Sequence, residues 1–170
     1  MGIFSEWKKL TFLRLGDEVW TPVYTPKGIG MTDVVYLNGQ FYAFTYHGKL
    51  VLVDISSSDP KTIDIAEPPE GFDSSFSQSY LVESVGELFL VASFDDNKWT
   101  QVKSLDNRAL FVGSNASFAI LPSNHSECES NCIFYTDDGL YSLMIGVASD
   151  MGMFDVETED FILFMRGQTS

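Results

Sequence analysis

Basic side chains are scarce in this sequence. Lys and Arg number 10 against 24 Asp and Glu, which gives the 170 residues a formal net charge of −14. Binding to DNA or RNA regardless of sequence requires a Lys/Arg surface that displaces counterions, and an anionic membrane attracts the same side chains. The charge balance therefore argues against both as partners. An acidic surface more often keeps a protein soluble than docks a basic partner.

Cysteines and long apolar runs are scarce as well. The two cysteines, Cys128 and Cys132, are too few for a disulfide framework and fit a reducing compartment. No apolar run approaches the ~20 residues of a membrane span, and the first residues lack the layout of a signal peptide. We therefore expect a cytoplasmic or nuclear protein, with an organelle as the alternative.

Potential zinc ligands gather in one polar segment. His125, Cys128 and Cys132 are residue types that zinc accepts, but a fourth ligand is evident only if Glu127 or Glu129 serves. Cys132 also begins an apolar strand, where a thiol normally packs as a small hydrophobe. We interpret the segment as a solvated loop and predict no bound metal and no other cofactor.

Catalytic motifs are absent from the sequence. Asp95–Asn97 and Asp137–Gly139 place carboxylates side by side, but both stretches lie where hairpin turns are expected, and Asp, Asn and Gly suit such turns. Two histidines define no Ser–His–Asp arrangement. We predict a protein that is not an enzyme. A carbohydrate-binding or hydrolytic protein is the alternative, and it requires the carboxylates of Asp33, Asp54 and Asp137 to converge.

The stretch from Asp33 to Ile55 carries the strongest structural signal. It predicts three short strands, Asp33–Leu37, Gln40–Tyr46 and Lys49–Ile55, joined by turns at Asn38-Gly39 and His47-Gly48. The side chains are apolar on both faces, so both faces must be covered. Because the turns are too short for helical crossovers, covering meanders on both sides predicts a stacked arrangement such as a β-propeller.

Similar strand pairs recur at intervals of roughly 45–50 residues, the spacing of four-stranded propeller blades. The predicted strands outside the central stretch are Leu10–Leu15, Glu18–Tyr24, Lys61–Ile65, Tyr80–Glu83, Glu87–Phe94, Trp99–Ser104, Arg108–Val112, Ser117–Leu121, Asn131–Thr136, Gly139–Ile145, Met151–Val156 and Asp160–Met165. The last four form two predicted hairpins. The sequence therefore predicts one all-β domain over residues 1–170, built of antiparallel meanders that form a partial or small β-propeller of about three to four blades.

A series of short motifs resembles the plant KIB-type β-propeller domain, also called domain of unknown function 295. The series comprises Leu10–Thr21, Asp33–Tyr36 with Gly39, Phe41–Ala43, Gly48–Leu50, Tyr80–Glu83 with Gly86–Leu88, Trp99, Val102–Leu105, Leu110–Gly113 and Asn131–Asp138. No single motif is diagnostic, but their order and spacing agree through nearly the whole chain. The match corresponds to about the C-terminal half of a full family domain.

The resemblance implies a protein-interaction module. In most family members the propeller follows an N-terminal F-box helix bundle, and such proteins resemble substrate receptors of Skp1–cullin–F-box ubiquitin ligases. Propeller sequence begins at once here, so we expect no F-box domain and no binding of the Skp1 adaptor. A protein partner is expected, and self-association is expected if the ring is open. A truncated family member without independent function is a further alternative.

Exposed aromatic side chains are the candidate partner-binding residues, because Trp and Tyr dominate interface hot spots. The candidates are Trp20, Tyr46, Trp99 and Tyr141, drawn from a larger set that includes Tyr24 and Tyr42. Packing between blades explains buried members of this set equally well, so burial decides between the two interpretations.

Overall fold

The computed structural model of the chain describes residues 2–4, 9–26, 29–68, 79–93, 104–113, 116–122, 128–136, 151–156, 162–163 and 166–168. Within this part of the chain, fifteen strands form four sheets. The chain divides into two compact units, Met1–Ser77 and Gln78–Ser170. No α-helix occurs among the described residues, and none of their helical turns has the length and apolar character that crossing a membrane requires.

The first unit contains two antiparallel sheets. Three strands, β1 (Gly2–Phe4), β2 (Lys9–Phe12) and β3 (Thr21–Pro22), form the smaller sheet. The larger sheet is a four-stranded meander of β4 (Met31–Leu37), β5 (Gln40–Thr45), β6 (Leu50–Asp54) and β7 (Lys61–Ala66). The strands predicted between Asp33 and Ile55 are therefore present in the predicted order.

The core of the first unit is formed by residues from both sheets. The buried members of this cluster are Leu10, Phe12, Val23, Met31, Ala43, Val51 and Val53. Because side chains alternate along a strand, Phe44 lies on the opposite face of β5 from Ala43, and yet it is only 1% exposed. The second face of the meander is thus covered around Tyr42 and Phe44, whereas Ile63 on the same face is 41% exposed.

Hairpin turns follow the chemistry of their residues. Asn38 and Gly39 have φ values of 49° and 84°, as a two-residue turn with two left-handed positions requires. The second predicted turn is one residue longer than expected. Thr45 N–H donates to the Lys49 carbonyl (2.9 Å), so Tyr46, His47 and Gly48 make a three-residue loop with Gly48 at φ 80°. Tyr46 therefore lies in the turn and not in β5.

The predicted strands Leu10–Leu15 and Glu18–Tyr24 are both too long at the ends next to the turn that joins them. Strand β2 ends at Phe12 and β3 begins only at Thr21. Pairing stops with Phe12 opposite Thr21, because residues 13–20 turn outward around Gly16 (φ 95°). These eight residues form the β2–β3 loop.

The second unit also contains two sheets. Strands β8 (Ser79–Ser84) and β9 (Glu87–Ser93) form a hairpin, and β14 (Ile162–Leu163) and β15 (Arg166–Gln168) pair with the other edge of β9. The second sheet has the order β11-β10-β12-β13, formed by β10 (Ala109–Val112), β11 (Phe118–Ile120), β12 (Cys132–Thr136) and β13 (Met151–Asp155).

The core of the second unit again combines two sheets. Its buried members are Tyr80, Val82, Phe89, Val91, Leu105, Leu110, Val112, Ile133, Tyr135 and Val156. Gly152 lies directly opposite Tyr135, and a Cβ atom at this glycine would overlap the Tyr135 ring. A buried ion pair adds to the packing, because Arg108 Nη2 donates to Glu87 Oε2 at 2.8 Å and the guanidinium lies over the Phe89 ring.

Two pairings in the second unit differ from the predicted meander. Strand β12 pairs in parallel with β10, and the residues between these two strands, 113–131, are numerous enough to permit a parallel connection. Asn131 holds this pairing in place, since its N–H donates to the Arg108 carbonyl and its Oδ1 accepts from Leu105 N–H. The predicted final hairpin is wrong, because β13 pairs with β12 whereas β14 pairs with β9.

Two predicted strands, Gly139–Ile145 and the part of Trp99–Ser104 before Ser104, lie outside the described residues. The fold class itself is confirmed. The described part of the chain is all-β, with mostly antiparallel pairing, and its four sheets match the predicted three to four blades.

Candidate interaction surface

The β2–β3 loop exposes apolar side chains at one end of the first unit. Leu15 is fully exposed, with a relative accessibility of 108%, and Trp20 is 43% exposed. Leu13 and Val19 are exposed as well. Singly exposed apolar residues are common, but four within eight residues make a concentrated apolar tip of the kind that marks interaction sites.

Local hydrogen bonds fix the shape of this loop. Asp17 N–H donates to the Arg14 carbonyl at 3.0 Å, and the Asp17 carboxylate accepts from Arg14 N–H at 2.9 Å. Gly16 supplies the positive φ that the turn requires. Leu15 is therefore held at the tip of a closed turn.

Arg14 also anchors the loop to the larger sheet of the unit. Its guanidinium donates to the Ile55 carbonyl at 2.6 Å and lies 4.8 Å from the centre of the Phe12 ring. Since Ile55 directly follows β6, the β2–β3 loop lies at the end of the unit where β6 ends. The Asn38-Gly39 turn is at this same end, because antiparallel strands alternate in direction. The exposed Tyr36, whose ring packs 4.9 Å from Phe41, adds an aromatic side chain near that turn.

Charged groups of both signs lie at the same end of the unit as the apolar tip: Arg14 belongs to the loop, and Lys61 is opposite Asp54 in register. Asp17 and Glu18 are exposed within the loop, and Asp54 lies at the end of β6. Hydrogen bonds from Ser56 Oγ (2.6 Å) and Ser56 N–H (2.9 Å) lower the pKa of Asp54, and the nearby positive charge of Lys61 lowers it further. This end of the unit therefore combines exposed apolar side chains with charged groups of both signs.

The structure separates the predicted partner-binding aromatics. Trp20 belongs to the β2–β3 loop, whereas half-buried Tyr46 lies in the β5–β6 turn at the opposite end of the meander. Beside that turn, Lys49 Nζ donates to Asp64 (2.7 Å) and Glu67 (3.0 Å), and these hydrogen bonds raise its pKa. Trp20 and Tyr46 therefore do not form one surface.

Of the remaining aromatic candidates, Trp99 and Tyr141 lie outside the described residues. Tyr42 is buried and packs in the meander, while Tyr24 is exposed and pairs through its backbone with Lys61.

Sequence reasoning missed the aliphatic members of the surface, above all Leu15. The signal was present in the Gly16-Asp17 pair, a turn sequence inside an otherwise apolar stretch. In the structure this turn ends pairing before Leu13, and Leu13 and Leu15 are exposed.

The carboxylates that a hydrolase would need are not brought together. Asp33 on β4 is paired with Phe44 on β5, and Phe44 is paired in turn with Leu50 on β6. Asp54 is four residues beyond Leu50 on β6. Four residues of strand span about 13 Å, and the two strands are not adjacent, so these carboxylates are too far apart to act as a catalytic pair. Asp137 lies outside the described residues.

The two cysteines of the possible zinc set differ in environment. Cys132 is buried at the start of β12, as predicted for a packed thiol, while Cys128 is half-buried. Burial, with a smaller effect of Glu129, raises the pKa of the Cys128 thiol, so the metal-binding thiolate form is disfavoured there. Within the described residues no group of His, Cys, Asp and Glu is arranged to hold a metal, and His125 lies outside them.

Comparison with known families decides the identity of the fold. A family model for the KIB1-4 β-propeller matches residues 1–155 of the chain. The chain belongs to the KIB1-4 β-propeller family. The resemblance inferred from the motif series is therefore confirmed, and with it the β-propeller class.

Several curated plant proteins are similar to this KIB1-4 chain. A putative F-box protein of Arabidopsis thaliana, At5g55150, is 26% identical over 94% of the chain and 50% of its own length. The F-box protein At2g17036 is 25% identical over 88% of the chain and 45% of its length, and the F-box protein SKIP23 is 24% identical over 86% and 44%. The chain thus spans about half the length of the relatives it matches. No solved structure matches it.

Proposed function

We propose that this chain is a non-enzymatic protein-interaction module that contacts its partner through the β2–β3 loop. The observation that carries the proposal is the fully exposed Leu15 on a turn closed by Asp17 and anchored by Arg14. An apolar side chain held in a fixed position loses little conformational entropy on binding, so its burial contributes more to affinity than that of a mobile one. Trp20 adds a residue type that is frequent among binding hot spots.

A second, more specific proposal concerns the role of the partner binding. We propose that the module binds client proteins in the manner of a ubiquitin ligase substrate receptor. Support comes from the relatives, which are named F-box proteins. The Skp1 adaptor is recognised by F-box helices, and the described part of this chain contains strands and no α-helix. We therefore expect residues 1–170 alone to show no binding of a recombinant Skp1 adaptor in calorimetry; a direct complex would contradict this expectation.

The loop surface is tested by partner capture with matched variants. Immobilised chain is exposed to plant extract, and retained proteins are quantified against blank resin by mass spectrometry. The double substitution Leu15→Ser and Trp20→Ser should reduce recovery of the main retained protein at least about tenfold, equivalent to about 1.4 kcal/mol. The control, Ile65→Ser, removes an exposed aliphatic side chain from β7 and should leave recovery unchanged.

Two results would overturn the proposal. One is that no protein is retained above the blank resin. The other is that the loop variant, folded by its circular dichroism spectrum, recovers the same proteins in the same amounts as the unaltered chain.

A further inference from the structure

The connection between β6 and β7, residues 55–60, carries a run of serines, which we call the serine loop. Ser56, Ser57 and Ser58 are consecutive, Asp59 follows them, and all four are exposed. Their printed hydrogen bonds span only two residues, from side chain to backbone or to a neighbouring side chain. Exposed loops of small polar residues with so few bonds open locally at little cost in free energy. A modifying enzyme can therefore reach this loop in the folded protein.

The three hydroxyl groups of the serine loop differ in what they bind. Ser56 Oγ donates to the Asp54 carboxylate at 2.6 Å. Ser57 Oγ donates to the Asp59 carbonyl at 2.8 Å and accepts from the Asp59 N–H at 3.2 Å. Ser58 makes no hydrogen bond with the residues that the structure describes. Ser58 Oγ is therefore the hydroxyl that can react without breaking the bonds that shape the loop.

The charges around Ser58 indicate which class of enzyme would accept it. Asp59 follows directly, Asp54 lies four residues before, and no Lys or Arg occurs between Lys49 and Lys61. Protein kinases select their substrates by charge complementarity around the acceptor residue. A kinase with an acidic substrate groove would be repelled by this segment, whereas one with a basic groove would attract it. The segment therefore suits a kinase that prefers acidic substrates.

Basic side chains on both sides of the serine loop can hold a phosphate group. Lys61 begins β7, is exposed, and makes no hydrogen bond with a described residue. Arg14 donates one N–H of its guanidinium to the Ile55 carbonyl at 2.6 Å, at the start of the loop. Ammonium and guanidinium groups form charge-assisted hydrogen bonds with phosphate oxygens. A phosphate on Ser58 would thus be added at the end of the unit that also carries Leu15.

We propose that Ser58 is a phosphorylation site for a protein kinase that prefers acidic substrates, and that its phosphate weakens partner binding at the β2–β3 loop. In the reaction, Ser58 Oγ attacks the γ-phosphorus of ATP and forms the new P–O bond. The bond between that phosphorus and the β–γ bridging oxygen breaks, and ADP leaves. The hydroxyl proton passes to the general base of the kinase.

The effect on binding follows from the charge of the phosphate. A phosphoserine carries a charge of about −1.5 to −2 at neutral pH and is strongly hydrated. Docking a partner on Leu15 and Trp20 removes water from this end of the unit, and removing it from the phosphate costs free energy. This regulatory part rests on the proposed function of the β2–β3 loop, whereas the site itself does not.

Phosphorylation of the 170-residue chain tests the site. The folded chain is incubated with Mg²⁺-ATP and a purified kinase that prefers acidic substrates, and phosphopeptide mass spectrometry locates the phosphate. We expect phosphate on Ser58. Asp59→Asn should lower its incorporation at least about fivefold, because the acidic neighbour is lost. Ser57→Ala is the matched control and should leave Ser58 phosphorylated.

A kinase that prefers basic residues before the acceptor provides the enzyme control and should leave Ser58 unmodified. Absence of phosphate from Ser58 after treatment with the acidic-preferring kinase, or phosphate on other residues only, would overturn the site.

Partner capture tests the regulatory part separately. Phosphorylated chain should recover at least about threefold less of the main retained protein than the same chain after phosphatase treatment. Ser58→Ala, treated with the kinase in the same way, should recover as much as the phosphatase-treated chain. Equal or greater recovery by the phosphorylated chain would overturn the regulatory part. Failure of the unmodified chain to retain any protein would contradict the β2–β3 loop proposal, while phosphate on Ser58 would still support the site.

Discussion

Val85 is the residue whose backbone conformation is least suited to its side chain. It has φ 53° in the two-residue turn between β8 and β9, followed by Gly86 at φ 77°. A β-branched residue in the left-handed region is an outlier, since its Cβ crowds the neighbouring carbonyl. Val85 is 72% exposed, so it gains little burial in return.

Val85→Asn should therefore stabilise the protein. Asn tolerates the left-handed conformation and would create the Asn-Gly turn found at Asn38-Gly39, so we expect the free energy of unfolding to rise by about 1 kcal/mol. Urea denaturation measures this difference. The reverse substitution, Asn38→Val, should lower stability by a similar amount, and equal stability of all three proteins would contradict the assignment of strain to Val85.

Asp54 makes the stability of the first unit vary with pH in the acid range. Hydrogen bonds from Ser56 lower the pKa of its carboxyl from the ordinary value of 3.8. A group whose pKa is lower in the folded than in the unfolded protein contributes stability above the unfolded value, and that contribution disappears as the pH falls through the folded value. The stabilisation by Asp54 is thus complete at neutral pH, begins to fall as the pH approaches 3.8, and is gone below the lower pKa that the carboxyl has in the folded protein.

Ser56→Ala should raise the pKa of Asp54 toward 3.8, because it removes the hydroxyl donor and leaves the Ser56 N–H. The variant should melt at a lower temperature than the unaltered protein at neutral pH, and the difference should vanish in acid below the Asp54 pKa. Carboxyl ¹³C NMR titration and melting curves at several pH values measure the two effects. Ser58→Ala, in the same loop, serves as the control and should change neither.

Among the elements, the β2–β3 loop shows where alternation misleads. Leu13 and Leu15 extend the apolar stretch of β2, so the pattern predicted a strand through to Leu15, although the alternation shifts by one residue after Phe12. In the structure the Gly16 turn ends pairing at Phe12. Trp20 was a candidate partner-binding residue on sequence alone, but the exposure of Leu15 depends on where pairing stops, and the prediction placed that point too late in the chain.

Arg14→Ala should loosen this loop without unfolding the unit. The substitution removes the hydrogen bond to the Ile55 carbonyl and the contact with the Phe12 ring. Because the guanidinium is a charged donor at an exposed site, we expect its removal to lower the free energy of local opening of the loop by about 1 kcal/mol. The Asp17 amide should then exchange with solvent about five times faster. Hydrogen exchange measured by NMR tests this.

The control for this prediction is Lys9→Ala, which removes another exposed basic side chain from β2. It should leave the Asp17 exchange rate unchanged. If Arg14→Ala also leaves it unchanged, the guanidinium is not what anchors the loop.

For the whole molecule, the sequence predicted the elements better than their long-range pairing. Hairpins such as Asp33–Ile55 are encoded locally, because turn residues fix which strands are neighbours. The parallel pairing of β10 with β12 and the pairing of β15 with β9 join segments far apart in sequence. The local pattern of a strand does not indicate which distant strand it pairs with, so these pairings were not predicted.

The pairing of Arg166–Gln168 with Glu87–Phe89 leads to a prediction about the C-terminus. Deleting residues 162–170 removes β14 and β15 and leaves the apolar strand β9 as an open edge, and unpaired apolar edges promote association between chains. The shortened protein should aggregate at a lower temperature than the full chain when heated, as followed by static light scattering. Deleting only residues 169–170, which leaves both strands in place, is the matched control. Equal aggregation temperatures for the two deletions would show that β9 does not depend on these strands for protection.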